Sequence, residues 1–429
     1  MDETLSLLLA QDGYAQVLVQ FTDEASSSAS AAEDAGAAIA ENFLDGNAIN
    51  DRPGPGNILT SDLGAGLSAQ SAVRMERSAR ARASDAPRLL LYPTLGLALG
   101  YVDRDGAIAI AQSGAVCRVM RAETPSLVRP VQIRLAAATA GPSWGVAQIE
   151  APALWAQGFQ GQGVLVGHVD TGVDAGHPAL QGAVQDFTEF DLNGIEVKNT
   201  LKRDSDEHGT HTAGTIVGRP GEHGSFGVAP QARLLSAMVI EGGNVLGRVL
   251  GGIEWSVNKG AQIVSASLGI RGQSPFFQPL VNKLRTRGVL PVFAVGNEGA
   301  GESRFPGNYL NVLSVGASDI GGAVADFSGS QRFADRQVPD LVGPGVDIFS
   351  CMPGGGFAMM SGSSMATPHI AGLAALLLSA VPNASAYDLE GAIQDSCQLI
   401  GGMVPQRAGL GLPNAPRALA LLRTRMQIA

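Results

Sequence analysis

From Gly161 onward the chain repeats one pattern: a short, almost unbroken apolar run, a glycine-bearing turn, then a stretch able to coil into helix. Val164 to Val169, Leu234 to Ile240, Ile263 to Leu268, Val289 to Val295 and Val312 to Ala317 are the runs, with Val249 to Asn258 and Phe277 to Arg287 as helical stretches between them. Strands rich in Val, Ile and Leu without polar alternation are covered on both faces, as in a parallel sheet between two helix layers. The expected fold class is therefore α/β, a doubly wound, mostly parallel sheet with helices on both faces. In such sheets chemistry gathers at the carboxyl ends of the strands. The apolar stretch Ile370 to Val381 is shorter than the roughly 20 residues that span a bilayer and reads as a buried helix, so no membrane partner is expected.

The first 140 residues differ. They hold 11 of the 29 basic residues, no lysine and none of the six histidines. Ala15 to Phe21 alternates like a strand, Glu24 to Phe43 is Ala-rich and helix-compatible, and Asp45 to Gly66 is Gly/Pro/Asn-rich and reads as a loop. Leu89 to Val102 reads as two strands broken near Pro93, followed by a helix over Ala107 to Gln112 and a strand over Ala115 to Arg121. This predicts a small α+β domain over residues 1–125. Thr124 to Pro130, with the small-residue run Ala136 to Gly141 and Pro142, reads as a linker over 126–142 rather than a packed element, leaving 143–429 as the main domain.

At 429 residues two or three domains are expected. Charged residues are only 16% while glycines number 56, which suits a compact, loop-rich globular chain. The net charge of −10, with no basic run beyond Arg74, Arg77, Arg80 and Arg82, argues against a nucleic-acid partner, which needs a basic stripe. Cys117, Cys351 and Cys397 are too few and too scattered for a disulfide framework, so a reducing compartment is expected. The first residues lack a basic segment and a long apolar segment of export type, which favours the cytoplasm; secretion would require a signal peptide removed before residue 1.

Three signals stand where chemistry is expected. The run Val164 to Val169 leads into Asp170-Thr171-Gly172, an acid at a strand end before a tight turn. His208-Gly209-Thr210-His211 opens a helix with histidine in its first turn, and Ser361 to His369 brings a serine to the start of the apolar helix. Singly, the Asp reads as a turn former and the Ser as an N-cap. The pair His208 and His211 lacks the H-E-x-x-H spacing of a zinc site. Together, Asp, His and Ser fit nucleophilic acyl transfer.

On these residues the chain resembles the subtilisin-family (subtilase) serine proteases, over about Ser143 to Leu422. The resemblance implies that Asp170 orients an imidazole, His208 is the general base and Ser364 the nucleophile. It also implies that Asn297, in Ala294-Val295-Gly296-Asn297-Glu298-Gly299, is the side-chain donor of an oxyanion hole whose second donor is the Ser364 N–H. Ser267-Leu268-Gly269 and Gly242-Gly243-Asn244 resemble the family segments that bind an extended polypeptide substrate as an added strand, and Ala294 and Gly296 line the same substrate-binding cleft. The α+β domain is similar in element order to the family's N-terminal prosegment. It is expected to make a zymogen by inhibiting the cleft, its tail Glu123 to Ala140 lying there until autocatalytic cleavage.

Departures qualify the resemblance. Ser363 replaces the usual Thr. Ala179 and Gly221 stand where many members carry calcium-ligating side chains, so no cofactor is required and that calcium site is expected to be absent. The acidic residues Asp186, Glu189, Asp191, Glu196, Asp204, Asp206 and Glu207 leave another calcium site open, with a solvated acidic loop favoured. Arg304 falls near the primary specificity pocket, where it either selects acidic substrates or pairs with Glu298 or Glu302. A narrower reading is an intracellular processing protease maturing one partner protein, its first domain retained for docking or regulation. A silent binding module is disfavoured because every acting group is present.

Overall fold

The computed structural model describes residues 3–45, 88–138, 140–240 and 242–428. The expected loop beyond Asp45 and the cluster Arg74, Arg77, Arg80, Arg82 lie outside the described residues. The chain divides into two compact units: Met1–Thr124 with Glu189–Lys198 and Val239–Asn258, and the remainder. Two later pieces expected in the main domain are clustered instead with the first residues.

In the smaller unit an antiparallel sheet runs β2-β3-β1-β4, with β1 Ala15–Phe21, β2 Leu89–Tyr92, β3 Leu97–Val102 and β4 Val116–Arg121. The central β1 pairs Val17 with Gly100 and Arg121, and Val19 with Ala98 and Val119. Two helices, Ala29–Ile39 and Arg104–Gln112, supply one apolar stripe each, and Ala32, Ile39, Ala107 and Ile110 join Val17, Val19 and Val102 in one core. Both starts differ from expectation because polar side chains decide them. Ser28 Oγ accepts from Ala31 N at 3.1 Å, so the first helix begins at Ala29 rather than near Glu24. Asp103 accepts from Gly106 N at 3.0 Å and starts the second helix ahead of the apolar pattern. The turn between β2 and β3 is also fixed by side chains: Thr94 N and Leu95 N donate to the Glu254 carboxylate at 2.8 and 2.9 Å, and Tyr92 Oη donates to Gly247 O at 2.9 Å, both partners lying on the helix Val245–Asn258.

The larger unit begins with β5 Ser126–Leu127 and β6 Gln132–Ala136 and is built on β7 Leu165–Asp170, β8 Val184–Phe190, β9 Arg233–Met238, β10 Ile263–Ala266, β11 Leu268–Arg271, β12 Leu290–Ala294, β13 Arg304–Phe305, β14 Leu313–Ser318, β15 Leu341–Pro344, β16 Ile348–Met352 and β17 Gly356–Ser361. Its main sheet has the order β15-β14-β12-β10-β7-β9-β8, and β15, β14, β12, β10, β7 and β9 are mutually parallel. The winding reverses at β7, whose neighbours are β9 on one side and β10 on the other, and Asp170 ends that strand at the switch point. The doubly wound α/β architecture is as expected. The helix Ser363–Ala380 fills the core, lying against β10, β12, β14 and β15 as well as the helix His208–Val217.

Two local expectations are corrected. The run Ile263 to Leu268 is not one strand: it leaves the parallel sheet after Ala266, and β11 turns to pair antiparallel with β13 and β5. The segment 126–142 is not an unpacked linker, because β5 pairs Leu127 with Leu268 and Ser126 with Gly269, and β6 pairs with β17 from Gln132 opposite Ser361 to Ala136 opposite Phe357. Its Pro and Ala content masked the fact that a short paired strand needs only backbone donors and acceptors, with Leu127 and Val128 buried to anchor it.

Candidate active site

The contact between Asp170 and His208 depends on two glycines. Gly172 has φ +116°, and a Cβ on it would lie 2.2 Å from Arg203 O; a Cβ on Gly209 would lie 2.1 Å from Gly172 O. The end of β7 and the start of the His208–Val217 helix therefore touch, and His208 Nδ1 lies 2.7 Å from Asp170 Oδ1. The same oxygen accepts from Thr171 N at 2.7 Å, and Thr212 Oγ1 donates to Oδ2 at 3.1 Å. Burial alone would raise the Asp170 carboxyl, but the His208 and His168 rings and the Thr171 N–H outweigh it and bring it down to about 2. Burial would lower the His208 imidazole, but Asp170 outweighs that and holds it above its ordinary value.

Around this pair stand His168, which sequence reasoning did not single out, and Asp204, which it named only within an acidic stretch. His168, two residues before Asp170 on β7, is fixed by Ser236 Oγ at 3.0 Å and Thr212 Oγ1 at 2.9 Å, and burial keeps it low and neutral. The period-2 rule of a strand was the available signal, since it places His168 and Asp170 on one face. Asp204 accepts from Thr171 Oγ1 at 2.7 Å and from Thr210 N at 2.6 Å, tying the turn after β7 to the helix start; desolvation pushes its carboxyl up to about 7 against these donors.

Ser364 lies in the first turn of the core helix, beside Asn297 in the loop after β12. Asn297 Oδ1 accepts from Ser363 N at 2.8 Å and lies 2.8 Å from Ser363 Oγ, which orients the amide so that Nδ2 points outward. Asn297 Nδ2 donates to the backbone carbonyl of Arg129 at 2.8 Å. The Ser364 hydroxyl is directed to Met365 Sδ at 3.4 Å, while His208 Nε2 is buried with no hydrogen-bond partner among the described residues. Ser364 is nonetheless at the peptide: a Cβ placed on Gly362 would meet Ser364 Oγ at 2.8 Å, Asn297 Nδ2 at 3.1 Å and Pro130 Cα at 3.5 Å.

The segment bearing Arg129 crosses this place as an extended strand. β5 pairs with Leu268 and Gly269, Val128 N donates to Ser267 O at 2.8 Å, and Val131 N donates to Ser361 O at 2.8 Å before β6 begins. Ser267, Leu268 and Gly269 thus hold a peptide backbone. Ala294 ends β12, and Gly296, at φ +115°, turns the chain into the Asn297 loop. Arg304 donates from Nε and Nη2 to Glu298 Oε1 at 2.9 and 2.6 Å, and Arg271 Nε reaches the same oxygen at 3.1 Å. Arg304 Nη1 also lies 3.0 Å from Ser126 Oγ. Its charge is therefore paired with Glu298 and it touches the bound strand. Gly242 and Gly243 belong to the smaller unit, where Gly243, at φ +66°, passes 2.6 Å from Leu192 O measured at the position of a Cβ.

The metal expectations meet the following geometry. His211 Nε2 lies 2.9 Å from Ile348 O, and burial brings its imidazole down to about 3. Ala179 is buried and, like Gly221, offers no side-chain oxygen. Among the described residues no three His, Cys, Asp or Glu side chains converge as a metal-binding group.

Residues 161–411 match the model of the subtilase family, Peptidase_S8. The chain is 36% identical to Subtilisin Savinase of Lederbergia lenta over 277 residues, 64% of this chain and 97% of that protein. It is 40% identical to an Intracellular serine protease of Paenibacillus polymyxa over 243 residues, 54% of this chain and 72% of that one. With Subtilisin E of Bacillus subtilis it shares 34% over 275 residues, 62% of this chain and 69% of the relative. A family match over more than half the chain, on a parallel sheet whose switch-point strand ends in the carboxylate that holds His208, means that this chain belongs to the subtilase family and is a subtilisin-type serine endopeptidase.

Proposed function

We propose that Asp170, His208 and Ser364 hydrolyse peptide bonds as a triad and that residues 1 to about 125 form a prosegment whose tail keeps the full chain a zymogen. A serine hydroxyl is a poor nucleophile until a base takes its proton, and imidazole serves near neutral pH when a buried carboxylate fixes its tautomer. Asp170 on Nδ1 leaves Nε2 of His208 as the accepting nitrogen. The Ser364 hydroxyl must rotate from Met365 Sδ to that nitrogen, attack the substrate carbonyl, and pass its proton through His208 to the leaving amine. The oxyanion so formed is received by Asn297 Nδ2, already aimed by Ser363, together with the Ser364 N–H. Substrate enters as an extended strand on Ser267-Leu268-Gly269, with Ala294, Gly296 and Arg304 lining the cleft and Gly242 and Gly243 as the second strand-binding segment.

The observation that carries this reading is the Arg129 carbonyl on Asn297 Nδ2 at 2.8 Å: the chain's own segment occupies the position of a substrate carbonyl. The bond that follows is Arg129–Pro130, and while the Ser364 hydroxyl is turned to Met365 the seated segment acts as an inhibitor. Action inside the cell is favoured by the likeness to the Intracellular serine protease and by Cys117, Cys351 and Cys397 all being free thiols.

Intact mass followed over time tests both halves. The unaltered chain is expected to lose about 13 kDa of its 44.0 kDa from the N-terminus while Ser364→Ala stays whole. Loss of the same fragment by both proteins would remove Ser364 from the role; persistence of both at full mass, with protein substrates still cut by the unaltered chain, would make the first domain a retained regulatory one.

A further inference from the structure

The strand and helix that bring Asp170 to His208 make a second, deeper contact. Alternation along β7 puts His168 on the same face as Asp170, and one helical turn puts Thr212 in line behind His208. The two rows meet: Thr212 Oγ1 lies 3.1 Å from Asp170 Oδ2 and 2.9 Å from His168 Nε2. Ser236, opposite His168 on β9, brings its Oγ to 3.0 Å from His168 Nδ1. All four residues are buried, at 2% exposure or less. An imidazole taken out of water inside a sheet must recover its hydrogen bonds, and this one recovers both while touching neither Ser364 nor the bound strand.

What matters is the direction of these bonds. Thr212 has one hydroxyl proton, and besides Asp170 Oδ2 it has His208 O at 3.2 Å and Gly209 O at 3.1 Å within reach. The two helix carbonyls compete with the carboxylate for that proton. A proton on His168 Nε2 is donated to Thr212 Oγ1 and leaves the hydroxyl to donate to Oδ2, the acceptor that carries charge. Ser236, donating to Nδ1, keeps the ring proton on Nε2. Among the described residues Thr212 is the only hydrogen-bond donor to Oδ2, whereas Oδ1 has both His208 Nδ1 and Thr171 N. We infer that His168 is a positioning residue: acting through Thr212, it directs a series of hydrogen bonds from Ser236 to Asp170 that holds the second carboxylate oxygen and tempers the basicity of His208. The inference rests on the proposed roles of Asp170 and His208. The positive end of the Thr212 hydroxyl offsets part of the carboxylate's field at the His208 ring, so its loss makes that ring more basic. The other groups facing His208 are Asp204, Asp206 and the His211 ring, and no variant below alters them.

The test is nitrogen NMR of the full chain labelled in its histidine rings and carrying Ser364→Ala, which keeps it whole. His168 is expected as the neutral ring with its proton on Nε2 from about pH 5 to 8. The His208 midpoint should rise by about half a pH unit in Thr212→Val and in His168→Leu, and no further when the two are combined. It should stay in place in His168→Gln, whose amide can still donate to Thr212. With Ser364 intact and the tail released, Thr212→Val and His168→Leu should each lower kcat about tenfold with KM little changed. A His168 ring protonated on Nδ1, a His208 midpoint unmoved by Thr212→Val, a further rise in the combined variant, or a His168→Gln chain that behaves like His168→Leu would overturn the inference. Thr212→Val keeps the shape of the side chain, so it and His168→Gln decide the matter even if His168→Leu does not fold. If the NMR results hold but the chain with Ser364 intact cuts no polypeptide, it is the protease reading that fails and not the assignment of His168.

Discussion

The helix Arg104–Gln112 buries Gly106, Ala107 and Ile110 and leaves its other residues wholly or partly in water, whereas in Ser363–Ala380 every residue from Ser363 to Leu378 is buried. The first is a cover laid on one face of a four-stranded sheet and needs only an apolar stripe and a cap. The second is a core in itself, surrounded by strands and by the His208–Val217 helix, which is likewise buried at every residue. The two helices that carry His208 and Ser364 therefore begin inside the protein, so their first turns are rigid and nearly dry. A site whose donors must be in place before charge develops is better built on such elements than on covers free to fray.

The contrast can be broken at several strengths. At the site itself, Asn297→Ala should lower kcat by about 10²–10³ with little change in KM, a magnitude known for the oxyanion asparagine of subtilisin and carried over to this position; a loss confined to KM would mean that the rigid loop serves binding rather than the transition state. In the cores, Leu373→Ala is expected near the upper end of the ~2–5 kcal/mol range for such truncations and Ile110→Ala near the lower end, because the surrounded helix cannot collapse onto the space it loses. Denaturant titration of both variants would show it, and a larger cost at Ile110 would refute the distinction.

Titration is the next probe in size. Asp170 is held at about 2 against an ordinary 3.8, so its share of stability, of order 2 kcal/mol, is present above about pH 4 and is lost as pH falls from 4 toward 2. His208 is shifted upward, so its contribution has the opposite sense, full below about 6.5 and lost as pH rises through the raised value. Activity needs the neutral imidazole, and kcat/KM should accordingly rise with pH along a limb centred above 6.5; a limb centred below it would contradict the Asp170 contact. Smallest is the cover helix cap: Asp103→Ala should cost about 1 kcal/mol, read as a shift in denaturant midpoint, and leave the pH profile of hydrolysis untouched once the tail is released.

How far all this was legible in the sequence follows the same line. Strands buried on both faces announce themselves as unbroken Val, Ile and Leu runs, and each of the five expected runs overlaps a strand of the main sheet. The sixth parallel strand, Leu341–Pro344, has only four residues, two of them Gly and Pro, and gives no such signal. Asp170, His208, Asn297 and Ser364 stand out in the sequence because each lies in a glycine-bearing motif, and Gly172 and Gly209 allow backbone approaches that a Cβ would forbid. The supporting residues do not. Ser363 and Asp204 act through hydrogen bonds to residues close in space, and nothing in their composition separates them from ordinary caps and turns. Arg129 was hidden in a segment that reads as linker, since its partners Asp206 and Asn297 lie far along the chain.

The order of synthesis gives the buried helix a further consequence. All seventeen strands named above precede Ser363, so the segment that completes the core emerges from the ribosome after the surfaces it must cover. Until then the parallel strands have one apolar face without its cover, and their pairings, being distant in sequence, are slow to form. A nascent chain stalled before residue 363 would carry nearly the whole sheet and no means of closing it, a state prone to association and to capture by chaperones. The small N-terminal sheet, whose own helices precede its last strand, faces no such wait.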